Sequence, residues 1–87
     1  MLAYLKKLSG EDPTLVFRKR HGSGMGLSGD PDVYVLWKGR HFEIELKRSG
    51  EDPTPLQRLR LEEWGKAGAL VGVVRSLEDL REILARV

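Results

Sequence analysis

The spacing of apolar residues divides the chain into seven segments. In "MLAYLKKL", Leu2, Leu5 and Leu8 recur on one side with Lys6 and Lys7 between them, which predicts a short helix stopped by Gly10 and Pro13 of "SGEDPT". "LVFRKRH" reads as a strand, and "GSGMGLSGDP" is too rich in glycine to be anything but loop. "DVYVLW" and "RHFEIELKR" alternate with period two and flank Lys38-Gly39, the pattern of a two-residue hairpin. "TPLQRLRLEEWGKAG" predicts a helix with Thr54 as N-cap, Pro55 at the first helical position and glycines after it. "ALVGVV" is a continuous apolar run, expected to be a strand buried on both faces. "SLEDLREILARV" predicts a last helix capped by Ser76, with Leu77, Leu80, Leu84 and Val87 as its inner stripe. The order is α-β-β-β-α-β-α, an α/β chain with a mixed sheet, and 87 residues suffice for one domain spanning 1–87.

The hairpin fixes which side chains meet. Counting outward from Lys38-Gly39, Trp37 faces Arg40, Val35 faces Phe42 and Val33 faces Ile44 on one side of the sheet. On the other side Leu36 meets His41, Tyr34 meets Glu43 and Asp32 meets Glu45, with Lys47 further along that face. A three-residue turn would set Val33 against Glu45 and mix the two faces, so it is disfavoured. Directly opposed residues have Cβ atoms about 4.5–5.5 Å apart, where two like charges destabilise a sheet. Two carboxylates in that position call for a cation, and hard oxygen ligands suit Mg²⁺ or Mn²⁺. The alternative is a surface ion network in which Lys47 neutralises both acids. Glu43, on the same face, reads as an exposed glutamate.

Composition narrows the chemistry. There is no cysteine, which removes disulfides, thiolate nucleophiles and cysteine-held zinc, and only His21 and His41 are available for a histidine site. No apolar run approaches membrane-spanning length and the start lacks a secretion signal, so the expectation is a soluble intracellular protein, cytoplasmic and without a membrane partner. Net charge is only +2, but Arg18, Lys19, Arg20, Lys38, Arg40, Lys47, Arg48 and Arg58 fall in the first two-thirds while acids cluster late. That asymmetry is compatible with nucleic-acid contact and equally with a solvated arginine-rich surface.

Two further patterns carry less than they suggest. "SGEDPT" occurs at 9–14 and 49–54, leading once into a strand and once into a helix, so it is shared loop chemistry and not a structural repeat. Gly24, Gly26 and Gly29 spell G-x-G-x-x-G but run into Asp30-Pro31-Asp32 and a strand, whereas a dinucleotide site needs that motif to open a helix.

Taken in order, Gly29-x-Pro31-Asp32, an apolar strand, Ile44-Glu45-Leu46-Lys47, Thr54 and Gln57 on the next helix, and the strand "GALVGVV" resemble the VRR-NUC branch of the PD-(D/E)XK nuclease superfamily. The resemblance covers roughly residues 29 to 76 and implies a restriction-endonuclease-like core. It implies that Asp32 and Glu45 bind a catalytic Mg²⁺ or Mn²⁺ with the Leu46 carbonyl, and that Lys47 orients the attacking water or stabilises the transition state. Gln57 would assist them, although Thr54-x-x-Gln57 is also a complete capping box. Asp30 is a second choice for the role of Asp32. Relatives often carry an acid on the first helix, whereas "MLAYLKKL" has none, and Glu11 or Asp12 would be irregular replacements.

The expected function is therefore a divalent-metal-dependent DNA endonuclease, with Arg18, Lys19, Arg20, Arg48 and Arg58 on the DNA backbone. Small stand-alone relatives resemble Holliday-junction resolvases, which implies branched or four-way-junction DNA and a homodimer. A flap or end-processing nuclease and a non-catalytic branched-DNA-binding module are the alternatives.

Overall fold

A computed structural model describes residues 1–20 and 27–87. His21 and most of the glycine loop expected at 22–29, with Gly24 and Gly26 of the glycine motif, lie outside the described residues. The elements follow the expected order: α1 (Leu2–Glu11), β1 (Leu15–Lys19), β2 (Val33–Trp37), β3 (Arg40–Leu46), α2 (Pro55–Lys66), β4 (Leu70–Val74) and α3 (Leu77–Leu84). Among the described residues the strands form a mixed sheet in the order β1-β2-β3-β4. β1, β2 and β3 are antiparallel neighbours, and β4 lies parallel to β3.

Hydrophobic pattern and turn chemistry agree on the central hairpin. Lys38 and Gly39 both have positive φ, 51° and 78°, the geometry of a tight turn whose twist matches its strands. The register is Val33↔Ile44, Tyr34↔Glu43, Val35↔Phe42, Leu36↔His41 and Trp37↔Arg40, as the sequence predicts. Val33, Val35, Phe42 and Ile44 are fully buried and join Leu5 of α1, Leu15 of β1, Val74 of β4 and Leu80, Ile83 and Leu84 of α3 in one apolar core. α1 and α3 therefore cover one face of the sheet. α2 lies on the other, where Trp64 contacts His41 and Gly65 lies against Val71.

Several details depart from expectation. α1 continues through Gly10 to Glu11, because one glycine costs a helix only about 1 kcal/mol. It ends at Asp12, which Pro13 forces into extended backbone with φ −129° and ψ 107°. β4 is not buried on both faces but forms an edge of the sheet, with only Val74 fully buried. The stripe of α3 is Leu80, Ile83 and Leu84, while Leu77 and Val87 are exposed. Val87 lies beyond the last turn, where helical spacing no longer aims it at the core. Gly72 has a packing reason: a Cβ there would come within 2.7 Å of Ile83 Cδ1.

Candidate active site

Asp32 precedes β2 and Glu45 lies near the end of β3, so the hairpin brings them to one end of the sheet. Carried one step past Val33↔Ile44, the register sets Asp32 opposite Glu45, and one step further it sets Pro31 opposite Leu46. Proline has no N–H, so the Leu46 carbonyl finds no ladder donor there. The Leu46 N–H turns instead to the Asp32 carboxylate, Oδ2, at 2.8 Å. In antiparallel pairing a residue's N–H and C=O project to the same side. The Leu46 carbonyl thus projects toward β2, the side of Asp32.

Glu45 is 2 % exposed, and its Oε1 is buried with no hydrogen-bond partner. Burial, reinforced by the neighbouring Asp32 carboxylate, raises its pKa from an ordinary 4.5 to about 7, against the opposing pull of Lys47. Lys47 Nζ lies 3.8 Å from Glu45 Oε2. The surface ion network is therefore not what forms: one acid is buried, the lysine offsets only part of the charge, and an oxygen stays orphaned. An orphaned carboxylate oxygen beside a second carboxylate, with a backbone carbonyl aimed nearby, fits a hard divalent cation. Among the described residues there is no cluster of three or more histidine or acidic side chains, so such an ion would complete its shell with water.

α2 is braced against the segment that leads to Asp32. Leu56, Arg60 and Trp64, spaced four apart on one helix face, meet Gly29, the Ser28 carbonyl and the Asp30 carboxylate in turn. Gly29 has φ +83°, and a Cβ there would lie 2.6 Å from Leu56 Cγ, so both backbone and space demand glycine. Asp30 accepts from the Trp64 indole at 3.3 Å and from the Leu27 N–H at 2.9 Å, which commits it to the loop and removes it as the substitute for Asp32. Thr54 and Gln57 form the full capping box, with Gln57 Oε1 accepting from Thr54 N–H at 2.9 Å.

Of the irregular replacements for a first-helix acid, Asp12 is committed elsewhere. Asp12 accepts from the Trp37 indole at 2.9 Å and from Thr14. Trp37 stands five residues along β2 from Asp32, about 17 Å in an extended strand. Glu11 is exposed at the end of α1.

Two expectations are corrected. Glu43 is not an exposed glutamate but fully buried. Arg20, expected on DNA, turns into the sheet face with its side chain 13 % exposed and pairs with both Glu43 oxygens. His41 Nε2 reaches the same carboxylate. Tyr34 and Trp64 lie 4.8 and 5.1 Å from the Arg20 guanidinium. Alternation had put Glu43 on the right face but could not reveal a covering layer. Arg18, Lys19, Arg48 and Arg58 are exposed.

A mixed sheet with helices on both faces carries Asp32, Glu45 and Lys47 at one end of its central strands, an α/β architecture. No protein-family profile and no curated protein matches the chain. A solved structure described as a VRR_NUC domain superposes with a TM-score of 0.73 at 29 % identity, covering 97 % of this chain and 89 % of that one. A second, described as a VRR_NUC domain protein, gives 0.69 at 18 % identity over 98 % and 82 % of the two chains and bears on the fold alone. The chain thus shares the fold of VRR_NUC domain structures, a fold that implies a nuclease of the PD-(D/E)XK type.

Proposed function

We propose that residues 1–87 form one metal-dependent DNA endonuclease domain that hydrolyses phosphodiester bonds, acting on branched DNA such as a four-way junction. The observation that carries this reading is the Glu45 carboxylate, buried beside Asp32 with one oxygen unpartnered. Asp32, Glu45 and the Leu46 carbonyl would hold Mg²⁺ or Mn²⁺. Such an ion supplies Lewis acidity to a non-bridging phosphate oxygen and makes a neighbouring water more acidic.

The protein's own groups do the rest. Lys47 carries a positive charge 3.8 Å from Glu45 and stabilises the negative charge that builds on the phosphate, or orients the water that attacks it. Gln57 holds the start of α2 through the capping box and is proposed to steady water or the metal's surroundings from there. Arg18, Lys19, Arg48 and Arg58 hold phosphates without reading sequence. A junction with two-fold symmetry needs two cuts, which a homodimer supplies from equivalent sites.

The absence of an acid from "MLAYLKKL", with Asp12 committed to Trp37, favours one second reading, a branched-DNA-binding module without catalysis. The test incubates wild type and Asp32→Ala with labelled four-way junction, flap and linear duplex, with and without Mn²⁺. Junction cleavage by wild type alone, and only with Mn²⁺, is the expected result. Binding without cleavage selects the second reading, and a preference for flaps or ends selects a processing nuclease.

A further inference from the structure

Glu43 is a buried charge and Arg20 a half-buried one that the proposed chemistry does not use, and the bonds of Arg20 converge on the segment that carries Asp32. The Arg20 N–H donates to the Asp32 carbonyl at 2.8 Å. The Arg20 guanidinium donates to the Pro31 carbonyl through Nη1 at 2.9 Å and to Glu43 Oε2 through Nη2 at 2.9 Å, while Nη1 also reaches Glu43 Oε1. Glu43 stands two residues before Glu45 on the same face of the same strand. The guanidinium therefore ties Pro31, the residue before Asp32, to the strand that carries the other acid, while the Arg20 backbone N–H ties Asp32 itself to the end of β1.

Asp32 is held by two backbone donors, the Leu46 N–H on its carboxylate and the Arg20 N–H on its carbonyl, whereas Pro31 cannot donate to β3 and is linked to that strand through the guanidinium. Tyr34 and Trp64 flank the guanidinium and hold its plane, and His41 occupies the remaining approach to the Glu43 carboxylate. Because Glu43 is fully buried and the Arg20 guanidinium is turned onto it, the pair offers little charge to DNA.

We infer that Arg20 and Glu43 are positioning residues that set the Asp32 carboxylate at the distance from Glu45 that a shared cation requires. The inference rests on the nuclease reading above. Arginine is needed because only its planar fork reaches two carboxylate oxygens and a carbonyl at once; lysine keeps the charge and loses the fork.

The test compares wild type, Arg20→Lys, and the double variant Arg20→Met/Glu43→Leu, which removes both charges together and so avoids stranding one of them. Mn²⁺ affinity is read by calorimetry, folding by thermal melt, and kcat and KM by junction cleavage. In both variants Mn²⁺ affinity and kcat are expected to fall by about 10- to 100-fold, as when ligand-orienting groups are lost. KM for DNA should stay within about two-fold, and the double variant should melt near wild type. Unchanged Mn²⁺ affinity and kcat in either folded variant would overturn the inference. So would a raised KM with unchanged kcat, the signature of a phosphate contact. If wild type itself neither binds Mn²⁺ nor cuts, the nuclease reading fails first and takes this one with it; binding and cutting by wild type and variants alike would sink only the positioning role.

Discussion

Glu45 concentrates the energetic conflict of the molecule. A carboxyl that titrates near 7 when folded and near 4.5 when unfolded binds more protons in the native state between those values. Its contribution to stability is therefore fully present below about pH 4.5 and lost as pH rises through about 7. In chelator, wild type should lose stability relative to Glu45→Gln between pH 5 and pH 8, by about 1–3 kcal/mol, as followed by urea denaturation. A difference that does not change with pH would contradict the raised pKa. Mn²⁺ should reverse the trend for wild type alone, stabilising it more at pH 8 than at pH 6, since cation and proton compete for the same oxygens. Glu43, by contrast, is bonded through both oxygens to Arg20. Glu43→Leu alone strands a half-buried guanidinium and should cost about 3–5 kcal/mol, read from the same denaturation curves.

At the scale of elements, α2 and α3 hold the sheet through contacts that can be separated by mutation. Thr54→Ala removes the cap of α2 and should cost about 1 kcal/mol. Gln57→Ala removes the reciprocal half of the box. If Gln57 also serves the chemistry, its kcat falls at least ten-fold further than that of Thr54→Ala; equal losses would confine it to capping. Gly72→Ala should cost about 1–3 kcal/mol by overpacking against Ile83 Cδ1. Adding Ile83→Val, which deletes that methyl, should recover part of the loss, as judged by melting temperature. These elements also mark what the sequence discloses and what it withholds. The β2–β3 register was legible because Val33, Val35, Phe42 and Ile44 must share a face and Lys38-Gly39 suits a two-residue turn; a four-residue turn would have slid the pairs but kept Asp32, Glu45 and Lys47 on one face. That register alone brought Asp32 to Glu45. The depth of Glu43 and Glu45 was not legible, since alternation assigns a side chain to a face without saying what covers it. The covering contacts join residues far apart: Arg20 to Glu43, Trp64 to Asp30, Arg60 to Ser28. The stripe Leu56, Arg60, Trp64 mixes chemistries, so no hydrophobic period announces it.

For the whole molecule, α1 and α3 seal one face of the sheet, and α2 only partly covers the other, leaving Val16 and Leu36 exposed on it. The cations proposed for DNA are spread over β1, the loop after β3 and the first turns of α2. Binding should accordingly be salt-dependent, and Arg48→Ala and Arg58→Ala should each reduce the slope of log affinity against log salt by about 1 while leaving sequence preference unchanged. A slope untouched by either change would remove that residue from the DNA surface. All of this depends on two acids from different strands sharing a cation beside Lys47. The most direct measurement is calorimetric titration of Mn²⁺ into wild type, Asp32→Ala and Glu45→Gln at pH 8, with folding verified by melt. Saturable binding by wild type that is lost in both folded variants is the predicted result, and equal binding by all three would contradict the shared site.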